Sequence, residues 1–173
     1  MLMTQIEEQK RLAALRRLKM MDTSHEAAYD DITRLAASMC DTPIALISLV
    51  DDKRQWFKSS VGLHATATPK EHGFCAHAIK TPADVFVVPD ASVDERFASN
   101  SLVTGDPHIR FYAGAPLVTS DGQALGTLCV IDIRPRVLST DQLKELQFMA
   151  QQIITTMERT AALETSRDVV LGL

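Results

Sequence analysis

Two stretches of the chain pair apolar runs with polar turns in a pattern that predicts strands. Residues 43 to 50 (Pro-Ile-Ala-Leu-Ile-Ser-Leu-Val) are almost wholly apolar and lead into Asp51, Asp52 and Lys53. Residues 54 to 60 (Arg-Gln-Trp-Phe-Lys-Ser-Ser) resume strand character, so the segment reads as a hairpin. A strand with one wet face would alternate, so the unbroken first run predicts burial on both faces. A second hairpin is predicted between Arg110 and Ile133, with its turn at Asp121 and Gly122. Joining the two hairpins requires a long crossover, residues 61 to 109, which holds most of the unusual chemistry.

Helical spacing marks both ends of the chain. Residues 4 to 21 place Leu12, Leu15 and Leu18 on one face with no internal Gly or Pro, and the pattern breaks near Asp22. A second helix is expected from about 25 to 40, capped by Thr23 or Ser24, with Ala28, Ile32, Leu35, Ala36 and Met39 on its apolar face. A last helix follows Ser139 and Thr140. Its Leu143, Leu146, Ala150, Ile153 and Met157 suit either a coiled-coil seam or a helix lying on a sheet. Inside the crossover, the pattern predicts a short helix at 71–80 and a strand at Val85–Val88 stopped by Pro89. Helical turns capped by Asp90 and Asp94 come next, then a loop at 98–109.

Length and charge narrow the picture. A chain of 173 residues suits one core with extensions. A formal net charge of −4 without clustered cations argues against nucleic-acid binding. Neither an apolar run long enough to span a membrane nor a secretory signal pattern is present, so the expectation is a cytoplasmic protein without membrane partners. Cys40, Cys75 and Cys129 are an odd, widely spaced set without a CxxC pair, which suits free thiols and predicts no structural metal site.

Several motifs in order resemble a GAF domain, the small-molecule sensor module of many signalling proteins. They are residues 44–51 with 54–59, Phe-Cys-Ala-His-Ala-Ile at 74–79, residues 87–97 from Val-Val-Pro-Asp to Glu-Arg-Phe, His-Ile-Arg-Phe-Tyr-Ala-Gly-Ala-Pro-Leu at 108–117, and Leu-Gly-Thr-Leu-Cys-Val-Ile-Asp at 125–132. The resemblance spans about 23 to 160, leaving 1–22 as an N-terminal helix or linker and 161–173 as a helical extension. It implies an α+β, GAF/PAS-like fold: a central antiparallel sheet of five or six strands, terminal helices on one face, and the crossover covering a pocket on the other. It also implies a bacterial sensory subgroup often joined to histidine kinase or diguanylate cyclase output domains. The expected partners are an unidentified small molecule and a second copy of the chain, meeting through the terminal helices. The sequence names neither ligand nor cofactor, because such pockets accept unrelated molecules.

The candidate site residues lie mostly in the crossover, where binding groups commonly sit on loops over a rigid sheet. Cys75 and His77 point about 200° apart on a helix, so they do not chelate one ion together. Cys75 reads as a buried small residue. His77 reads as a lid residue or a ligand contact, with metal or haem ligation as a further alternative. His108, Arg110 and Tyr112 alternate as on a strand and would share one face, a cation, a switchable base and a hydroxyl suited to an anionic or polar ligand. Alternatively, Arg110 pairs with Asp90 or Asp94 to pin the loop. Asp132 could meet an amine or cap the turn before Pro135. Arg96 and Phe97 would anchor the loop by the ring and leave the charge outside, and Trp56 reads as packing. Within the resemblance, the methionine sulfoxide reductases of the family use a nucleophilic cysteine in the region after His108. Arg110, Phe111 and Tyr112 occupy that region here, so a non-enzymatic role is expected. The cysteine–histidine pair of bilin-binding relatives is interrupted by Ala76.

Overall fold

The computed structural model describes residues 3–172. Six antiparallel strands form one sheet: β1 (Ile44–Val50), β2 (Arg54–Val61), β3 (Ala67–Pro69), β4 (Phe86–Val88), β5 (Phe111–Val118) and β6 (Ala124–Asp132), in the order β3-β2-β1-β6-β5-β4. The α+β architecture inferred from the sequence is therefore present, with the full six strands. Strand β1 is central and buried along its whole length, as its unbroken apolar run requires. Ala45, Ile47 and Leu49 enter one core cluster, while Ile44, Leu46 and Val50 enter the other.

The first cluster lies under the long helices. Helix α1 (Gln5–Arg17) opens on a Thr4–Glu7 capping box and buries Leu12, Ala14 and Leu15. Helix α2 (Ala27–Cys40) starts at Glu26 without a side-chain cap. The Thr23 hydroxyl, one of the expected caps, and the Ser24 carbonyl instead receive the Lys58 ammonium. The last helix, which runs from Thr140 to Leu171, is capped by Ser139 and Gln142. Its Leu146, Ala150, Ile153, Ile154 and Met157 are buried in this cluster, which selects the helix-on-sheet reading of its spacing. Trp56 packs in the same cluster, as expected.

Between β2 and β5 the crossover forms a roof over the opposite face. It contains a 3₁₀ turn at Lys70–His72, helix α3 (Cys75–Ala78), a second 3₁₀ turn at Ala91–Val93 and helix α4 (Ser101–Thr104). The segment expected as loop thus holds a helical turn, which Asn100 caps through Leu102 N–H. With α3 and α4 placed, the long C-terminal helix is α5.

Strand β2 carries one irregularity that matters for the site. Ile47 faces Ser59 and Ser48 faces Phe57, so Lys58 is an extra residue in a β-bulge. Lys58 and Ser59 both turn to the helical side. Lys58 Nζ reaches Glu26, Thr23 and Ser24, and Ser59 Oγ donates to Asp30 at 2.5 Å and meets Thr33. Gln55 and Phe57 face the roof.

Candidate functional site

A cavity of about 430 Å³ lies between the sheet and the roof. Ile44 and Leu46 of β1, Phe57 of β2, Ile131 of β6 and Tyr112 of β5 line its sheet side. Leu63, Phe74, Cys75, Leu102 and Ile109 close it from the crossover. Its polar wall is the Gln55 carboxamide with Thr68, and its only charged or titratable lining groups besides Cys75 and Tyr112 are His64 and Asp106, both exposed.

Beside the cavity sits a buried polar knot. Tyr112 Oη donates to Cys75 Sγ at 3.2 Å and lies 3.3 Å from Thr127 Oγ1, which itself donates to Cys75 at 3.1 Å. Tyr112 can lie flat along its own strand because Gly114, two residues on, has no side chain; a Cβ there would meet the phenolic oxygen at 2.3 Å. The neighbouring Cys129 thiol, then the Thr127 and Tyr112 hydroxyls that donate to it, hold Cys75 below its ordinary thiol value against the opposing effect of burial. Cys75 in turn, together with burial, pushes Cys129 well above its ordinary value. Burial also raises Tyr112. Cys75 is therefore more than a small apolar filler: its sulfur accepts from two buried hydroxyls at the edge of the cavity.

The other half of the roof is filled by aromatic rings. Phe74 and Phe97 stack with centroids 4.2 Å apart, and Tyr112 lies 5.2 Å from Phe74. Phe97 is buried while Arg96 stays outside over the Phe86 ring at 5.0 Å and pairs with Asp94, the anchoring read from the sequence. His77 packs edge-on to Phe97 at 4.8 Å on the outer side of α3. It lines a separate open groove with Lys70 and Lys80, and its imidazole is held below the usual value chiefly by burial. Cys75 and His77 thus diverge, as their helical spacing predicts.

The expected floor of His108, Arg110 and Tyr112 is not formed. Strand β5 starts only at Phe111, and His108 has φ 62°, in the left-handed region, so the alternation does not extend back to it. His108 is exposed. Arg110 turns its guanidinium onto the carbonyls of Val103 and Ile109, each at 3.0 Å, rather than to Asp90 or Asp94. Tyr112 alone reaches the cavity. Asp90 caps the turn at Ser92, accepting its backbone and side chain. Asp132, buried at the end of β6, caps Ile133 and Arg134 and pairs with Arg136. Sequence reasoning missed Gln55, Thr68, Leu63 and Ile109. Only the position of 61–69 at the start of the crossover could have pointed to part of that set.

An antiparallel sheet carrying helices on one face and a roofed cavity on the other defines a small two-faced α+β module. Among the described residues, no helix is long and apolar enough to cross a membrane, and no cluster of three or more metal-ligating side chains occurs. A family model described as GAF domain matches residues 24–157, and the chain belongs to that family. It is 47% identical over 130 residues to a cyclic di-GMP phosphodiesterase, PA2567, of Pseudomonas aeruginosa. That match covers 75% of this chain and 22% of the relative, so the chain spans about a fifth of that protein's length. Among solved structures, the GAF domain of a phosphoenolpyruvate-protein phosphotransferase from Acinetobacter superposes with TM-score 0.64 at 16% identity, covering 94% of this chain and 99% of its own. The blue-light absorbing form of the PixJ GAF domain of Thermosynechococcus elongatus gives TM-score 0.64 at 13% identity, covering 99% and 98%. At such identities these two establish the shared fold alone.

Proposed function

We propose that this GAF domain is a non-catalytic sensor that takes up a small molecule under the 61–109 roof and reports occupancy through α1 and α5. One observation carries the reading. The 430 Å³ cavity opens on one face of the sheet, and the long helices cover the other. A ligand in that cavity changes the helices only by favouring one packing of the sheet over another. Cys75 and Tyr112 are its contacts among the residues singled out from the sequence. Phe97, Asp90, Arg96 and Arg110 hold the roof, and Asp132 holds the end of β6. His77 and His108 lie outside the cavity.

The likeness to part of a cyclic di-GMP phosphodiesterase supports a regulatory element of a larger signalling protein. Its output domain would be a kinase, a diguanylate cyclase or a phosphodiesterase, acting in the cytoplasm. Residues 23–160 would be the sensor and 161–173 the connecting helix. Leu163, Val169, Val170 and Leu171 are exposed on that helix and suit a homodimer seam. Thermal-shift screening of the chain with cyclic nucleotides, amino acids, haem, small anions and uncharged aromatics tests the reading. Stabilisation by one of them, lost when the cavity is filled, is the expected outcome. No response to any, together with an intact dimer by light scattering, would favour a second reading, a ligand-free dimerisation scaffold. That reading draws on the tight Phe74–Phe97–Tyr112 stack, which already fills half of the roof. It predicts a dimer indifferent to substitution of Arg110.

A further inference from the structure

The cavity also defines the chemistry of its occupant. We infer that it takes an uncharged, largely apolar molecule bearing one hydrogen-bond donor, and that it rejects anions; this rests on the sensor reading above. At an interior packing density of about 0.74, a 430 Å³ space holds on the order of 20 non-hydrogen atoms.

The case against an anion is made by where the cations are. Arg110 is tied to the Val103 and Ile109 carbonyls, Arg96 lies outside with Asp94, and Arg136 is taken by Asp132. Lys70 and Lys80 border the separate open groove. The carboxylate on the cavity lining, Asp106, would repel a second negative charge. His64, the other titratable side chain on the lining besides Cys75 and Tyr112, is exposed to water, so an anion in the apolar interior would lose its hydration without gaining a buried counter-charge.

The case for one donor rests on Gln55. This residue is 4% exposed and belongs to the cavity wall. Its Nε2 donates to Thr68 Oγ1 at 3.0 Å, while its Oε1, sealed from solvent, has no partner among the described residues. Buried acceptors are nearly always paired. The amide lies against Gly73, where a Cβ would come within 2.1 Å of the oxygen, so Gly73 makes the room that this carboxamide occupies. The terminal amide torsion of Gln is broad, and rotation about it gives up the Thr68 bond and presents Oε1 to the cavity, where a ligand N–H or O–H completes it. Tyr112 differs, because it is fully buried, gives its proton to Cys75 and has Thr127 Oγ1 at 3.3 Å.

Two dyes with one ring system separate the possibilities. N-Phenyl-1-naphthylamine is uncharged with one N–H; 8-anilino-1-naphthalenesulfonate adds a sulfonate. Both fluoresce in apolar surroundings. The uncharged amine is expected to bind saturably at one site per chain and raise the melting temperature, and the sulfonate to bind at least about tenfold more weakly. Leu63→Trp and Leu102→Trp, both at partly buried lining positions, should each reduce amine binding by about tenfold or more while circular dichroism shows a cooperative fold. Gln55→Met should weaken the amine several-fold and leave 1-phenoxynaphthalene, which has an ether in place of the N–H, unaffected.

Equal or tighter binding of the sulfonate, lost in the Trp variants, would overturn the ligand class and leave the sensor reading standing. Amine binding that ignores both Trp variants would place the dye on an exposed surface and overturn the inference. Failure of both dyes while another compound of the thermal-shift panel stabilises the chain would do the same. Failure of every compound would remove the sensor reading itself.

Discussion

Glu26→Gln is expected to destabilise this protein more than its half-exposed position suggests. The Lys58 side chain has no solvent exposure, and its ammonium is held by Glu26 Oε2 at 2.6 Å, Ser24 O at 2.6 Å and Thr23 Oγ1 at 2.8 Å. Three acceptors match the three N–H donors of an ammonium. Exposed ion pairs contribute about 0–1 kcal/mol, whereas removing one partner of a fully buried pair costs about 3–5 kcal/mol. This pair lies between those limits, because Glu26 is 52% exposed and Lys58 is not exposed at all. Glu26→Gln retains an acceptor but leaves a buried charge among neutral groups, which sets the cost at about 1.5–3 kcal/mol. Lys58→Met keeps most of the stem volume and frees Glu26 to rehydrate, so its cost is about 1 kcal/mol. The order is the informative part: the variant at the wetter residue is the less stable one. Urea unfolding followed by Trp56 fluorescence measures both, with an unchanged slope confirming that stability alone has moved. A Glu26→Gln protein within about 0.5 kcal/mol of wild type, beside a Lys58→Met protein losing more than about 3 kcal/mol, would refute the argument.

Three other expectations follow from the same geometry. Gly114→Ala places a methyl group 2.3 Å from Tyr112 Oη and 2.7 Å from its ring, which should cost about 1–3 kcal/mol by displacing a fully buried ring; a melting temperature equal to wild type would refute it. Iodoacetamide at neutral pH should modify Cys75, which lines the cavity, before Cys129, and should spare Cys40, whose thiol burial pushes to about 11; peptide mapping that finds Cys40 labelled first would contradict this. Glu8 is held below its ordinary 4.5, first by its hydrogen bond to Arg11, so its contribution is complete above about pH 4.5 and lost as pH falls through the lower folded value. Glu8→Gln should therefore flatten part of the acid limb of stability measured by urea midpoint, and an acid limb identical to wild type would count against it.

The fold was legible because its signals are local and repeated. Continuous burial of β1 followed from one apolar run, and the start of α5 followed from Ser139 and Thr140 ahead of its apolar spacing. The site was less legible because two local events broke the periodicity on which the reading relied. The left-handed His108 delays β5 to Phe111, which removed His108 and Arg110 from the expected floor. The bulge at Lys58 decides which β2 residues face which side, and nothing in Trp-Phe-Lys-Ser-Ser announces it. Thr23 and Ser24 look like helix caps by composition, yet Lys58 takes the Thr23 hydroxyl and the Ser24 carbonyl, and α2 starts only after Glu26, two residues beyond Ser24. Gln55 carried no signal at all, since an isolated glutamine on a predicted strand is ordinary until its oxygen is seen to lack a partner.

The bulge also explains how one strand serves both faces of the sheet. In a regular strand, Ser59 would share the roof side with Gln55 and Phe57. One inserted residue sends both Lys58 and Ser59 to the other side, where Lys58 grips Thr23, Ser24 and Glu26, and Ser59 grips Asp30 and Thr33. The whole connection from α1 into the first two turns of α2 is thereby fastened to the residues that follow Phe57. The extra residue of a bulge is unpaired, bends its strand and re-aims the side chains around it. A side chain on the cavity wall and the joint between two helices are thus one residue apart along the backbone, at the point in β2 where the ladder changes register.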